Sequence, residues 1–290
     1  MIFFIFVKII ILFKMKKITT LLLLTLFTSI AVAQKKEKIK GSKKVTTEQK
    51  DISSFSVLEI SDNIEVHLEK GENAALEIEA DDNLHDLFVI ESNEKALRVS
   101  TNKEASRYKK MVVKITYTNK LRSILAKNDT EINAIQEIIV DSLKVTSLDN
   151  AKVFMNAKVT DFVLETDDKS KVELNLKASK ARLVLSKDSA LKALIATTDL
   201  TCDLYQKAEA KIEGDATNAT LRLDHNAQLV AEKLVVKNIA LTTESYSTGS
   251  VHATKSIVIQ ASDKSEIALY GNAKIDLGKF TDEVKLFKKK

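Results

Sequence analysis

From Ile52 onward, apolar and polar residues alternate in short runs: Ile64, Val66 and Leu68, then Leu76, Ile78 and Ala80, then Met111, Val113, Ile115 and Tyr117. A two-residue period puts successive side chains on opposite faces of a strand, so each run predicts a strand with one buried face. The turn signal Lys70-Gly71-Glu72-Asn73 between the first two runs predicts a hairpin. Two further strands are predicted around Val89–Ile90 and Leu97–Val99, separated by the polar residues 91–95. Residues 81–87, Asp-Asp-Asn-Leu-His-Asp-Leu, predict one short helical turn capped by Asp81 or Asp82.

In the second half the alternation acquires a longer period. A small residue stands two positions before a hydrophobic one at Ala151/Val153, Ser170/Val172, Ser189/Leu191, Ala208/Ala210 and Ala227/Leu229, a repeat of 19 residues. The phase returns at Ser265/Ile267 after one irregular coil in which Gly249-Ser250-Val251 is displaced. Such a repeat stacks equivalent positions at the inter-strand spacing of about 4.8 Å and predicts a solenoid. Its inward columns are Val153, Val172, Leu191, Ala210 and Leu229; Met155, Leu174, Ala193, Ile212 and Ala231; Leu164, Leu183, Cys202 and Leu221; and Thr166, Leu185, Leu204 and Leu223. Between the second and third columns the apolar positions change parity, which a straight strand cannot do, so each coil must bend there into two strands. Parallel stacking then gives an all-β fold, a β-helix with edges only at its ends. The expected division is a leader over 1–33, a polar flexible segment over 34–50, an N-terminal β region over 51–125 that continues or caps the helix, and coils with a C-terminal cap over 126–287.

Composition sharpens the compartment. Lys14, Lys16 and Lys17 precede an apolar run ending at Ala31-Val32-Ala33, the pattern of a cleaved secretory signal peptide, with Met15 an alternative start. Thr25, Thr28 and Ser29 interrupt that run, which is short for a spanning helix, so no transmembrane segment is expected after cleavage. The whole-chain net charge of +5 owes four lysines to the leader. The remainder is nearly balanced, which removes the electrostatic argument for nucleic acid or an anionic membrane as partner. Cys202 is the only cysteine, so no internal disulfide forms and packing must supply the stability. With no proline and no tryptophan, the chain reads as β-rich without rigid linkers.

Candidate chemistry is sparse. Cys202 falls in a leucine column and is read as a buried, inert thiol. Asp149, Asp168, Lys187, Gln206 and His225 share one corner column, and Asn150, Lys169, Asp188, Lys207 and Asn226 the next. The alternating signs suit hydrogen-bonded turns better than an acid and a base held at separate pKa values, so no catalytic residue is assigned. His67, His85, His225 and His252 lack metal-ligand spacing, and no metal or cofactor is expected. Outward positions offer mainly polar side chains, among them Lys152, Asn156, Lys171, Glu173, Asn175, Lys211 and Glu213, a surface suited to polar ligands or simply to solvent.

The leader, the stretch FSVLEISDNIEVHLEKGENAALEIEADDNLHDLFVIESNEKALRVS at 55–100 and the repeated coils together resemble the putative adhesin family described by a head GIN domain. The resemblance covers about 51–285 and implies a right-handed β-helix with an adhesin-like or envelope-associated role; it carries over no catalytic residue. The nearest counterpart of the Gly-Ile-Asn motif is Asp62-Asn63-Ile64. The autotransporter label would require a barrel of alternating membrane strands, and none is expected after the repeats end near Leu277. Three readings follow for the exported chain: a noncatalytic module binding a glycan, an envelope polymer or an envelope protein; a polysaccharide-acting β-helix enzyme; or a structural or sensing protein of the periplasm. Residence in the periplasm and association with the cell surface or outer membrane are both compatible with this.

Overall fold

The inward columns stack in register. In the computed structural model, which describes residues 36–290, Val153 pairs with Val172, Val172 with Leu191, Leu191 with Ala210 and Ala210 with Leu229. All five are at most 3% exposed, and the other three columns are buried with them. The leader over 1–33 and the alternative start at Met15 lie outside the described residues.

Lys152–Thr166, Lys171–Leu185, Ala190–Leu204 and Glu209–Leu223 are parallel 15-residue strands, each bent once. Pairing skips Thr160, Ser179, Thr198 and Thr217, where the apolar parity changes. Each coil therefore contributes one segment to each of two sheet faces, giving a parallel β-solenoid of about nine turns with coils of about 19 residues. The core is continuous along the stack, from Phe55 to Leu269.

Small residues recur at the corner because the chain reverses there over the core. Ala151, Ser170, Ser189, Ala208, Ala227, Ser247 and Ser265 are all fully buried. In the irregular coil the small residue is thus Ser247 rather than Gly249, which instead pairs with Leu229 and Ile267 in the first inward column. The register gains a residue between Lys211 and Gly214 and loses it again between Ala231 and Asn238, so the phase recovers at Ser265. Buried hydroxyls of this region pair across coils, Thr166 with Ser189 at 2.9 Å and Thr243 with Ser265 at 3.1 Å.

The N-terminal region both continues and caps the stack. Val57–Ile60 and Glu65–Lys70 form a coil that pairs in parallel with Ser123–Ala126 and Glu131–Ile139. On its other side lie Ala96–Thr101 and Met111–Tyr117, also parallel to it. The expected hairpin across Gly71 does not form. Met111–Tyr117 inserts between its two arms, parallel to Glu65–Lys70 and antiparallel to Ala75–Asp81. Three alternating apolar strands bury more together than two would alone. Phe88–Ser92 does close as an antiparallel arm on Ala96–Thr101.

Both ends of the described chain are paired into the stack. Within the polar segment 34–50, Lys38–Lys40 pairs with Glu104–Ser106, and Val45–Lys50 adds antiparallel to Ala75–Asp81, so backbone pairing ties down a stretch whose side chains give little sign of it. At the other end, residues 271–287 form the last coil of the stack: Ile275 pairs with Ile257 and Leu286 with Ile267, continuing the inward columns. Every residue of Lys274–Phe280 is exposed as a result.

Candidate functional site

The corner preceding each small residue is the most regular polar feature of the molecule. Asp62, Asn128, Asp149, Asp168, Lys187, Gln206, His225, Ser245, Asp263 and Asp282 all hold positive φ, between 57° and 78°. Asp and Asn tolerate this left-handed conformation better than other side-chain-bearing residues because their short polar groups bond locally to backbone. Here they bond along the stack. Asp62 N–H donates to Asn128 Oδ1 at 3.2 Å, Asn128 N–H to Asp149 Oδ2 at 2.9 Å, Ser245 N–H to Asp263 Oδ2 at 3.1 Å and Asp263 N–H to Asp282 Oδ2 at 3.2 Å. Lys187 lies 2.7 Å from Asp168 and 3.0 Å from Asp167, and these hydrogen bonds hold its ammonium pKa above the ordinary value. Asp149 and Asp168, the carboxylates weighed for acid–base chemistry, are therefore each engaged with a neighbouring corner.

The remaining reactive side chains are dispersed. Burial, reinforced by Asp203, pushes the fully buried Cys202 thiol up, away from the thiolate a nucleophile needs. His67 meets Glu65 at 2.8 Å, His85 is buried against the Thr46 hydroxyl at 2.9 Å, His225 sits at a corner, and His252 Nδ1 lies 3.1 Å from the Glu232 carbonyl. Among the described residues no group of three or more His, Cys, Asp or Glu is placed to hold a metal ion.

On the sheet face that follows the corners, two concavities lie toward the N-terminal end of the stack. The larger, about 770 Å³, lies between the loop segment carrying Tyr108, Lys109 and Lys110 and the corner residues Asn63, Asp129 and Asn150. Asp81 fixes that loop. Fully buried, its carboxylate accepts the backbone N–H groups of Lys43 at 2.7 Å, Lys109 at 3.0 Å and Lys110 at 3.1 Å. Burial pushes its pKa up, but these donors outweigh that and hold it below the ordinary value. Asp81 thus anchors two loops instead of capping the helical turn. That turn, His85–Leu87, is 3₁₀ and has no side-chain cap. Three lysines of the cleft pair with acids: Lys110 with Glu79 at 2.8 Å, Lys114 with Glu77 at 2.8 Å and Lys152 with Glu131 at 3.5 Å.

The second concavity, a groove of about 450 Å³, lies further along the same strands. Glu131 and Lys152 line the cleft, and the outward rows they begin run on through Asn133 and Phe154 to Ile135 and Asn156 at the groove. A register shift between Ala134 and Ile138 lifts Ile135 out to 77% exposure as one wall. At the far end Gly214, at φ 115°, marks a second shift, where Lys211 and Lys233 reach Glu213 at 3.5 and 3.8 Å. Between them Asn156, Asn175, Leu194 and Glu213 occupy one outward column. The amides are chained: Asn175 Nδ2 donates to Asn156 Oδ1, and Asn156 Nδ2 donates to the Ile135 carbonyl, both at 2.6 Å.

Five of the outward residues singled out in the sequence, Asn156, Glu173, Asn175, Lys211 and Glu213, meet in this groove, and Lys152 lies in the cleft. Lys171 lines neither. Sequence reasoning missed Ile135, Phe154 and Leu194 as groove residues. The available signal was an apolar side chain in an outward column otherwise polar: Leu194 follows Asn156 and Asn175 and precedes Glu213.

Residues 54–273 match the family described as putative auto-transporter adhesin, head GIN domain. The chain belongs to that family. No curated protein matches it. Among solved structures it is similar to a putative adhesin from Parabacteroides merdae ATCC 43184, at 22% identity and TM-score 0.61, over 87% of this chain and 100% of that one. A putative lipid binding protein from Parabacteroides distasonis ATCC 8503 aligns over the same shares, at 17% identity and TM-score 0.60. A putative adhesin from the latter organism gives 18% identity and TM-score 0.52, again over 87% and 100%. At these identities the likeness establishes a shared fold.

The tripeptide closest to the motif in the head GIN name, Asp62-Asn63-Ile64, is the first corner of the ladder. Asp62 takes the left-handed position that glycine adopts freely, and its carboxylate accepts the Thr101 N–H at 2.8 Å. Ile64 is buried beneath it. At this position the tripeptide acts structurally, joining the capping coil to the coils that follow. No helix among the described residues is long and apolar enough to cross a membrane.

Proposed function

We propose that the protein is an exported, noncatalytic binding module of the cell envelope that contacts a polymer or a partner protein along the outer face of one sheet. Residues 1–33 direct export in this reading, and Lys38–Lys290, one compact unit, does the binding. The observation that carries it is the cleft and the groove on successive stretches of one sheet face, with ion pairs along them and exposed apolar side chains. Stacked strands hold such a surface in place without ordering cost, and repeated weak contacts along a polymer add as avidity. Adhesin-like family membership supports the same reading. Both periplasmic residence and surface association are compatible with it.

The test is an array of glycans, envelope polymers and phospholipid vesicles probed with the purified protein at two salt concentrations, alongside a pull-down from envelope extract. Saturable binding to one polymer class or one envelope protein supports the proposal. Binding to vesicles alone would replace it with a lipid-binding function, and turnover of any polymer would replace it with an enzymatic one.

A further inference from the structure

We infer that the groove between Ile135 and Glu213 is a binding site for an uncharged saccharide chain, which rests on the binding-module reading above and gives it a ligand class and a location. Three observations converge on this ligand. The first is the amide chain. Asn175 gives its Nδ2 to Asn156, which gives its own to the Ile135 carbonyl, so donation runs in one direction toward the bulge. Its free end is the Asn175 side chain, an exposed amide with acceptor capacity for a ligand hydroxyl.

The second observation is the apolar surface beside that amide. Leu194, 55% exposed, follows Asn175 in the same column, and Ile135, 77% exposed, stands at the other end. Phe154 lies half-buried in the neighbouring outward row. Aliphatic and aromatic patches alternating with amides match a pyranose, which has C–H faces and hydroxyl edges. From Asn156 to Glu213 the column crosses three inter-strand spacings, roughly 14 Å, room for a short run of sugar rings.

The third observation selects against charged ligands. Lys192 reaches Glu173 at 3.6 Å, Lys211 reaches Glu213 at 3.5 Å, and Lys177 reaches Glu137 at 3.5 Å. With acids and bases paired along the groove there is little field of either sign to attract an ionic polymer. An extended peptide would gain most from free sheet edges, and this face is the middle of a sheet with its backbone already paired.

The experiment titrates the full chain with soluble neutral glucans, mannans and xylans, and with anionic alginate and hyaluronan, at low and high salt. Leu194→Asp and Asn175→Ala are compared with wild type, and Val258→Asp, an exposed position on the other sheet face, serves as control. We expect binding to a neutral glycan that changes little with salt, weakened roughly tenfold or more by Leu194→Asp and by Asn175→Ala and unchanged by Val258→Asp. Thermal melting of each variant separates lost binding from lost fold, and Leu194, being exposed, tolerates the change without unfolding. Glycan binding that both groove variants leave intact would overturn the groove while leaving the binding-module reading standing. Salt-sensitive binding to the anionic polymers alone would overturn the ligand class. Binding to no polymer of any kind and to no envelope protein would overturn both.

Discussion

The coils from Lys152 to Ala261 and the N-terminal end of the stack hold themselves together by different means. In the coils, away from the register shifts, an inward side chain has its counterpart one coil above and below, as Leu183 has Leu164 and Cys202. Stability is distributed, a sum of similar increments between neighbours. At the N-terminal end the partners are remote and unlike one another. Lys43, Lys109 and Lys110 meet on Asp81, and Thr101 meets Asp62 39 residues away. The apolar core runs on through this end, and a few polar pins are added to it that tie together segments distant in the chain. A repeat can lose any one coil contact and keep the remainder, whereas a cap that loses a pin releases several segments together.

The largest expected effect breaks the distributed half. Leu183 is fully buried, and Leu183→Asp places an unpaired carboxylate between two apolar neighbours in addition to deleting leucine packing. We expect a loss of about 4 kcal/mol or more in urea unfolding. Leu194→Asp, the same substitution at an outward position, should stay within about 0.5 kcal/mol of wild type. Equal midpoints for the two variants would disprove the assignment of inward and outward columns.

The second test removes a pin. Asp81→Ala leaves three backbone N–H groups without their acceptor and frees two loops, and we expect a cost of about 3 kcal/mol with early loss of hydrogen-exchange protection in 38–50 and 102–110. The pH dependence follows from the direction of the shift. The folded carboxyl titrates below its ordinary value of 3.8, so its stabilisation is fully present above that pH and is lost as pH falls through the lower folded value. Asp81→Asn should remove that part of the acid destabilisation while retaining the side chain's shape. Identical acid unfolding of the Asp81→Asn variant and wild type would show that other carboxylates dominate.

The same contrast explains what could be read in the sequence. The four inward columns and the mid-coil bend were legible because a 19-residue repeat converts each contact into a spacing along the chain. The arrangement at the N-terminal end was not. Nothing near Gly71 signals that Met111–Tyr117, some forty residues on, will take the place of the adjacent hairpin arm, because insertion is decided by the burial of three strands together. Nor does local sequence distinguish Asp81 as an anchor from Asp81 as a helix cap. The groove was legible in half: its polar residues stood out as outward, but its walls depend on register shifts at Ala134/Ile138 and Lys211/Gly214 that break the repeat.

Gly214 offers a sharper comparison within the coils. At φ 115° it occupies a conformation that side-chain-bearing residues rarely adopt, and an added Cβ would overlap the Ile195 carbonyl of the preceding coil. Gly214→Ala should cost about 2 kcal/mol, measured by urea unfolding, since both backbone strain and displacement of a paired strand contribute. Loss of groove binding alongside that cost would show that the second shift shapes the far wall. An unchanged unfolding midpoint would mean that the strand pair there already has slack.

The smallest effect concerns the corners, where the two halves of the molecule use one device. Asp149 holds φ 59° and accepts the Asn128 N–H at 2.9 Å. Asp149→Ala removes the acceptor and also places a residue without local hydrogen bonding in the left-handed region, and we expect a loss of about 1–2 kcal/mol. Asp149→Gly removes the same acceptor but relieves the conformational cost, so it should lie closer to wild type, with a loss of about 0.5–1 kcal/mol. The difference between the two variants isolates the backbone contribution, and the residual cost of glycine isolates the hydrogen bond. Were alanine no worse than glycine, the aspartates and asparagines of the ladder would be there for their side-chain bonds alone. Were glycine equal to wild type, they would be there for the turn alone, and the bonds along the stack would add no stability.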